Sequence, residues 1–283
     1  MNRLISAVWA LFALLTVSGA HAQDADLWRL VAQSDAIVVG QLGPIDAPLP
    51  DQSYVTTEVL APLWLKGAEA SSLTLNWYSE ARPYAPSPEA LLGLRGDQVI
   101  VFAVRADGKY YFAGHSPSAI RSADRGTIAR IGSEIARQRD LLDHWQDDPD
   151  VPHHDQVAGL IAAIADLDPA SPTAERDQQA LFDALLALGP AAVPAIIMQL
   201  DDDRRLAVSA ISLRNTSPDA FEAYRHYGPK TIGDALAAIL NQLTGESFGS
   251  TYNGGNAAER LRTLAGWRVY LASVGQATSV ALP

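Results

Sequence analysis

Apolar and polar positions divide the chain into two halves with different periods. Between residues 36 and 112, short β-branched runs alternate with turn residues. Ala36-Ile37-Val38-Val39-Gly40-Gln41-Leu42 is stopped by Gly43-Pro44. Tyr54 to Leu60 alternates in part and Leu73 to Tyr78 more clearly, the period of a strand with one buried face. Gln98 to Val104 is continuous and apolar, which predicts a central strand. Asp107-Gly108 then carries the strongest short hairpin signal, with Lys109 to Phe112 returning. Pro83, Pro86 and Pro88 make residues 81–88 a loop. Five strands in about eighty residues, with no long helix between them, predict a small barrel or sandwich.

The second half has a helical period. Ile128, Ile131, Ile135, Leu142 and Trp145 share one stripe. Gln146 to Pro152 is acidic and proline-bearing and reads as a linker. Helical patterns follow from about Gln156 to Ala165 and from Ala174 to Leu188, where Gly189-Pro190 ends the run. Others cover Ala191–Leu200, Thr231–Leu243 and Ala257–Ala272. Short helices with short joints and no strand between them predict an array of α-hairpins. No repeat is self-similar enough to prove a solenoid.

Composition narrows the function. Hydrophobic residues make up 48% of the 283 and charged residues 19%, which excludes a disordered chain. The net charge is −11, and both halves are acidic, with 18 acidic against 11 basic residues in 23–150 and 14 against 9 in 151–283. Nucleic acid is therefore not the expected partner. The absence of cysteine excludes disulfides, thiolate metal sites and a cysteine nucleophile. Arg3, the apolar run Leu4–Val17 and Ala20-His21-Ala22 have the order of an export signal cleaved before Gln23. The expectation is a mature chain of −12, periplasmic or secreted, with no membrane span, since no later segment offers the roughly 18 uninterrupted apolar residues that a span needs.

Ser34-Asp35-Ala36-Ile37-Val38-Val39-Gly40, Leu65-Lys66-Gly67 and Gly96-Asp97-Gln98-Val99-Ile100-Val101-Phe102 resemble the OB-like barrel of secreted netrin-module domains and the tissue inhibitors of metalloproteinases. Those inhibitors present a disulfide-bonded N-terminal cysteine to zinc, a device this chain lacks. Leu188-Gly189-Pro190-Ala191-Ala192-Val193-Pro194-Ala195-Ile196, Tyr227 to Ala235, Leu240 to Gly245 and Ala265 to Leu271 resemble bacterial HEAT-like helical repeats, which implies a protein-binding scaffold without catalytic residues. The expected class is α+β, with an OB-like barrel in 23–118, a helix and acidic linker in 119–150 and an all-α HEAT-like array in 151–283. The expected function is non-catalytic protein binding, with no cofactor. A secreted protease inhibitor, by analogy with the barrel, and a hydrolase using Ser247 are the alternatives.

Several residues carry candidate chemistry. Gly245-Glu246-Ser247-Phe248-Gly249 fits the serine-hydrolase elbow, but helix precedes it and loop follows, and no histidine lies downstream of His226. Gly245 reads better as a helix C-cap. His153-His154-Asp155 is a metal candidate, yet adjacent histidines in an extended segment point apart. His115, just after the last strand, reads as structural or incidental. Asp201-Asp202-Asp203 lacks an EF-hand pattern and reads as a cap for a following helix, with Arg204 and Arg205 as a possible contact ridge. Trp64, Trp77, Tyr78 and Tyr84 cluster around the proline loop, either as barrel core or as a ligand face. The expected partner surface is Tyr224, Arg225, Tyr227 and Lys230 beside His226, because aromatic and arginine side chains are enriched at interface centres. Inward packing of Tyr224 and Tyr227 against the helix at Thr231 is the competing reading.

Overall fold

The structure, a computed structural model, describes residues 27–45, 54–78, 80, 85–114, 116–215 and 222–280. Residues 1–22, expected above to be an export signal, and Pro83, Tyr84 and His115 lie outside them. The chain forms two compact units that divide between Asp140 and Leu141.

In the first unit, β1 (Ala36–Leu42), β2 (Tyr54–Lys66), β3 (Ser72–Tyr78), β4 (Gln98–Ala106) and β5 (Lys109–Phe112) join in the order β1-β2-β3-β5-β4, and β1–β4 pairing closes the barrel. Among these five strands, only β3 and β5 run parallel. The short helix α2 (Pro88–Gly93) follows β3. This is the five-stranded Greek-key order of an OB-like barrel. The strands fall close to their predicted bounds, and Asp107 and Gly108 both take positive φ (49° and 76°) in the β4–β5 turn, as an Asp-Gly hairpin requires. β2 runs to Lys66, beyond the predicted Leu60, because a kink at Ala61 (φ 47°) lets it continue along β1 through register shifts.

The apolar runs follow from burial on two sides. Ala36, Val38, Val99 and Val101 point into the barrel with Val59, Leu73, Leu75 and Trp77. Their neighbours Ile37, Val39, Ile100 and Phe102 lie outside, beneath α1 (Leu27–Gln33) and Ile131 of α3 (Arg125–Asp143). Strands covered on both faces need no alternation. β3 alternates because only Leu73, Leu75 and Trp77 face inward. The sequence pattern does not reveal α1. β6 (Ile120–Ser122) adds to β4.

The second unit holds α4 (His154–Ala165), α5 (Ala174–Ala187), α6 (Val193–Met198), α7 (Ile232–Thr244) and α8 (Ala257–Val280). α6 and α7 are its centre: Ile196, Ile197, Leu236, Ile239 and Leu240 are buried, with Val157, Ile161 and Ile164 of α4 and Phe182 and Leu185 of α5 around them. One feature departs from the expected run of helices. Residues Ile211–Arg214 (β7) and Tyr224–Tyr227 (β8) form an antiparallel hairpin between α6 and α7. Each strand has four residues, too short for a period to stand out, although Ile211 and Leu213 are buried while Ser212 and Arg214 are more exposed. Among the described residues, no single helix is long and apolar enough to cross a membrane.

Candidate functional site: the β7–β8 hairpin

The hairpin is held by side-chain amides from two helices. Gln178 of α5, itself buried, accepts from Val208 N (3.1 Å) and donates to Val208 O (2.8 Å) and Ala210 O (3.0 Å). Gln179 accepts from Ser212 N and donates to Ser212 O, both at 2.9 Å. Gln242 of α7 donates to Arg214 O at 2.7 Å. These amides act as a surrogate strand along the outer edge of β7.

Cross-strand register sorts the side chains. Ile211 and Leu213 oppose Tyr227 and Arg225, and Ser212 and Arg214 oppose His226 and Tyr224. One face therefore carries Ile211, Leu213, Arg225 and Tyr227. The other presents Ser212, Arg214, Tyr224 and His226. Tyr224 is 51% exposed, and Ser212 Oγ lies 2.8 Å from His226 Nδ1. The predicted partner residues thus divide: Tyr224 stands on the solvent face, while Arg225 and Tyr227 are half-buried on the opposite one.

A glycine-rich loop supports the end of β8. The Tyr227 ring packs at 5.6 Å against Tyr252, and Asn253 Oδ1 accepts from Gly228 N at 2.8 Å. Ser247 Oγ donates to Gly249 O (3.0 Å) and lies 2.7 Å from Tyr252 OH. Burial pushes the Tyr252 phenol above its ordinary pKa, against the lowering effect of the Ser247 hydrogen bond. The Lys230 stem lies over Gly254 (φ 91°), where a Cβ would come within 2.7 Å of it. Lys230 itself remains exposed.

Behind the hairpin, Asp234 is fully buried in a capping box with Thr231. It also accepts from Lys230 N (3.1 Å) and takes both arms of Arg260 at 2.9 Å. The start of α7 is fixed against residues 202–204 by Gly233 N to Asp202 O and Ile232 N to Arg204 O. That contact explains the acidic run. Asp202 receives Arg204 N and its guanidinium (2.6 Å), and the next secondary-structure element is β7 rather than a helix to cap. Arg204 is therefore engaged in an ion pair. Arg205 is exposed, its backbone bridged to Thr231.

The other candidates sit elsewhere. Ser247 follows a left-handed Gly245 (φ 73°) that ends α7, so no strand leads into it as an elbow requires. Its neighbour Phe248 packs on Trp267 at 5.1 Å. His153 pairs with Gln156 and His154 with Asp155, each at 3.1 Å. No group of three or more His, Asp or Glu suited to a metal occurs among the described residues. Trp77 is barrel core, and Trp64 packs beside it while donating to Ala70 O. Sequence reasoning missed Gln178, Gln179, Gln242, Tyr252 and Asn253. Polar residues on an amphipathic helix read as solvated surface, and the adjacent pair Gln178-Gln179 was the one available hint.

The chain matches no protein-family model and no curated sequence.

Proposed function

We propose that the chain is an exported, non-catalytic binding protein that engages another protein through the β7–β8 hairpin of its helical half. The observation that supports this most is the pairing of an exposed Tyr224 with a hairpin edge fixed by Gln178, Gln179 and Gln242. A rigid mount lowers the entropy cost of association, and tyrosine is an efficient contact residue. Arg214, Arg225 and Lys230 make this corner locally basic in a chain of −11. The resemblance of the helical half to HEAT-like scaffolds and the order of the N-terminal signal features support the same reading.

The test is site-specific photocrosslinking in the exporting cell. A crosslinker at Tyr224 is expected to yield one dominant adduct, whereas the same group at Leu261, an exposed position on α8, yields none. Equal yields at the two positions would reject the hairpin surface.

A further inference from the structure

The two edges of the hairpin are not equivalent. Asn215 N donates to Ala223 O, so with the observed register the hydrogen-bonded pairs are Leu213/Arg225 and Ile211/Tyr227. At Ser212 and Arg214 the main-chain groups therefore point away from β8, where Gln179 takes up both groups of Ser212 and Gln242 takes up Arg214 O. At Tyr224 and His226 they point away from β7. Both residues are exposed, and among the described residues their outward N–H and C=O groups have no protein partner. The next outward group, Gly228 N, is taken by Asn253. β8 thus offers two open donor–acceptor pairs, at i and i+2, closed at one end by an asparagine side chain.

We infer that β8 is a docking edge for strand addition, taking an extended acidic segment of a partner protein. This rests on the hairpin being the binding surface and adds the mode and the chemistry. Main-chain bonds supply affinity in such a mode, and flanking side chains set specificity. The flanking side chains are Arg225 and His226, with Arg214 and Lys230 near them and Glu222 as the acidic neighbour before the strand. Alternating acidic residues complement that set. A second copy of the chain does not. Antiparallel pairing that uses both open positions sets Tyr224 opposite His226 and places Arg225 directly against its own symmetry mate, and like charges opposite one another are unfavourable.

The substitution that separates edge from face is His226→Pro. Its N–H makes no bond to β7, so proline removes an outward donor and leaves the ladder bonds of Arg225 and Tyr227 in place. His226→Ala removes the side chain and keeps the donor. The probe is an acetylated, amidated octapeptide of alternating Glu and Val, titrated by fluorescence anisotropy against the full chain. Two further peptides serve as references, one with alternate amides N-methylated and one with Lys in place of Glu.

Binding of the Glu-Val peptide is expected. It should weaken about tenfold or more on N-methylation, and by a similar factor in His226→Pro, as loss of a main-chain hydrogen bond implies. His226→Ala keeps that donor and loses a flanking side chain alone, so it should weaken binding less than His226→Pro does. The Lys-Val peptide should not bind. The N-methylated peptide keeps the test independent of whether His226→Pro folds. Absence of Glu-Val binding, or binding indifferent to N-methylation, overturns strand addition. If a crosslinker at Tyr224 then still gives its dominant adduct, the surface stands and only the mode fails. If no β8 substitution affects crosslinking, the surface itself fails. Sedimentation showing a dimer that His226→Pro dissociates would make the occupant a second copy and overturn the acidic partner.

Discussion

Tyr224 and Tyr227 stand three residues apart on one short strand and have opposite environments. Tyr224 projects into solvent, while Tyr227 lies against Tyr252. Tyr224→Ala should therefore change stability by less than about 0.5 kcal/mol. Tyr227→Ala removes a half-buried ring and should cost about 2 kcal/mol. Urea unfolding of both variants checks the contrast. Lys66 gives a second residue-scale prediction. Its amine donates to Val31 O at 2.7 Å at the end of α1, and burial lowers its pKa from 10.5 to about 8, partly offset by Asp35. Between these values the unfolded chain holds more protons than the folded one, so this site adds stability as pH rises from 8 to 10.5 and loses it as pH falls back through 8. The stability of the parent relative to Lys66→Met should rise between pH 7 and pH 10. A constant difference across that range would show that Lys66 does not titrate in this way.

At the scale of elements, α7 is set by its first turn. Asp234 caps the helix and holds Arg260 of α8 with no exposed surface of its own. Asp234→Ala should cost roughly 3 kcal/mol, because it strips a cap and unpairs a guanidinium. Helical propensity gives the wrong sign at Gly266. Alanine is usually better in a helix, but a Cβ here would meet Phe248 Cβ at 2.3 Å. Gly266→Ala should lower the melting temperature by several degrees, about 1–3 kcal/mol of overpacking. Strands and helices were legible where burial imposed a long pattern: β1 and β4 through continuous apolar runs, β3 through alternation, α7 through its stripe and its Gly245 cap. The hairpin was not, because two four-residue strands are specified by partners distant in sequence, above all Gln178 and Gln179. The candidate residues Tyr224, Arg225, Tyr227 and Lys230 were legible as a composition, but their division between two faces needed the register.

For the whole molecule, charge and processing belong together. Cleavage after Ala22 would remove Arg3 and leave a chain of −12, so on the export reading the expected mass of the mature protein begins at Gln23. Mass spectrometry finding residues 1–22 retained would contradict the export reading. Against that acidic background, the basic corner formed by Arg214, Arg225 and Lys230 should give any acidic ligand an attraction that fades with added salt.

The glutamine-fastened side of the hairpin has a consequence for growth. A sheet with two available sides can recruit one strand after another, which is how fibrils elongate. Here the amides of Gln179 and Gln242 occupy the β7 side, so an arriving strand finds one berth and leaves no second one behind on this protein. A strand taken up at β8 would be the one strand this hairpin pairs directly, and any further growth would have to start from the edge of that arriving strand, not from this protein.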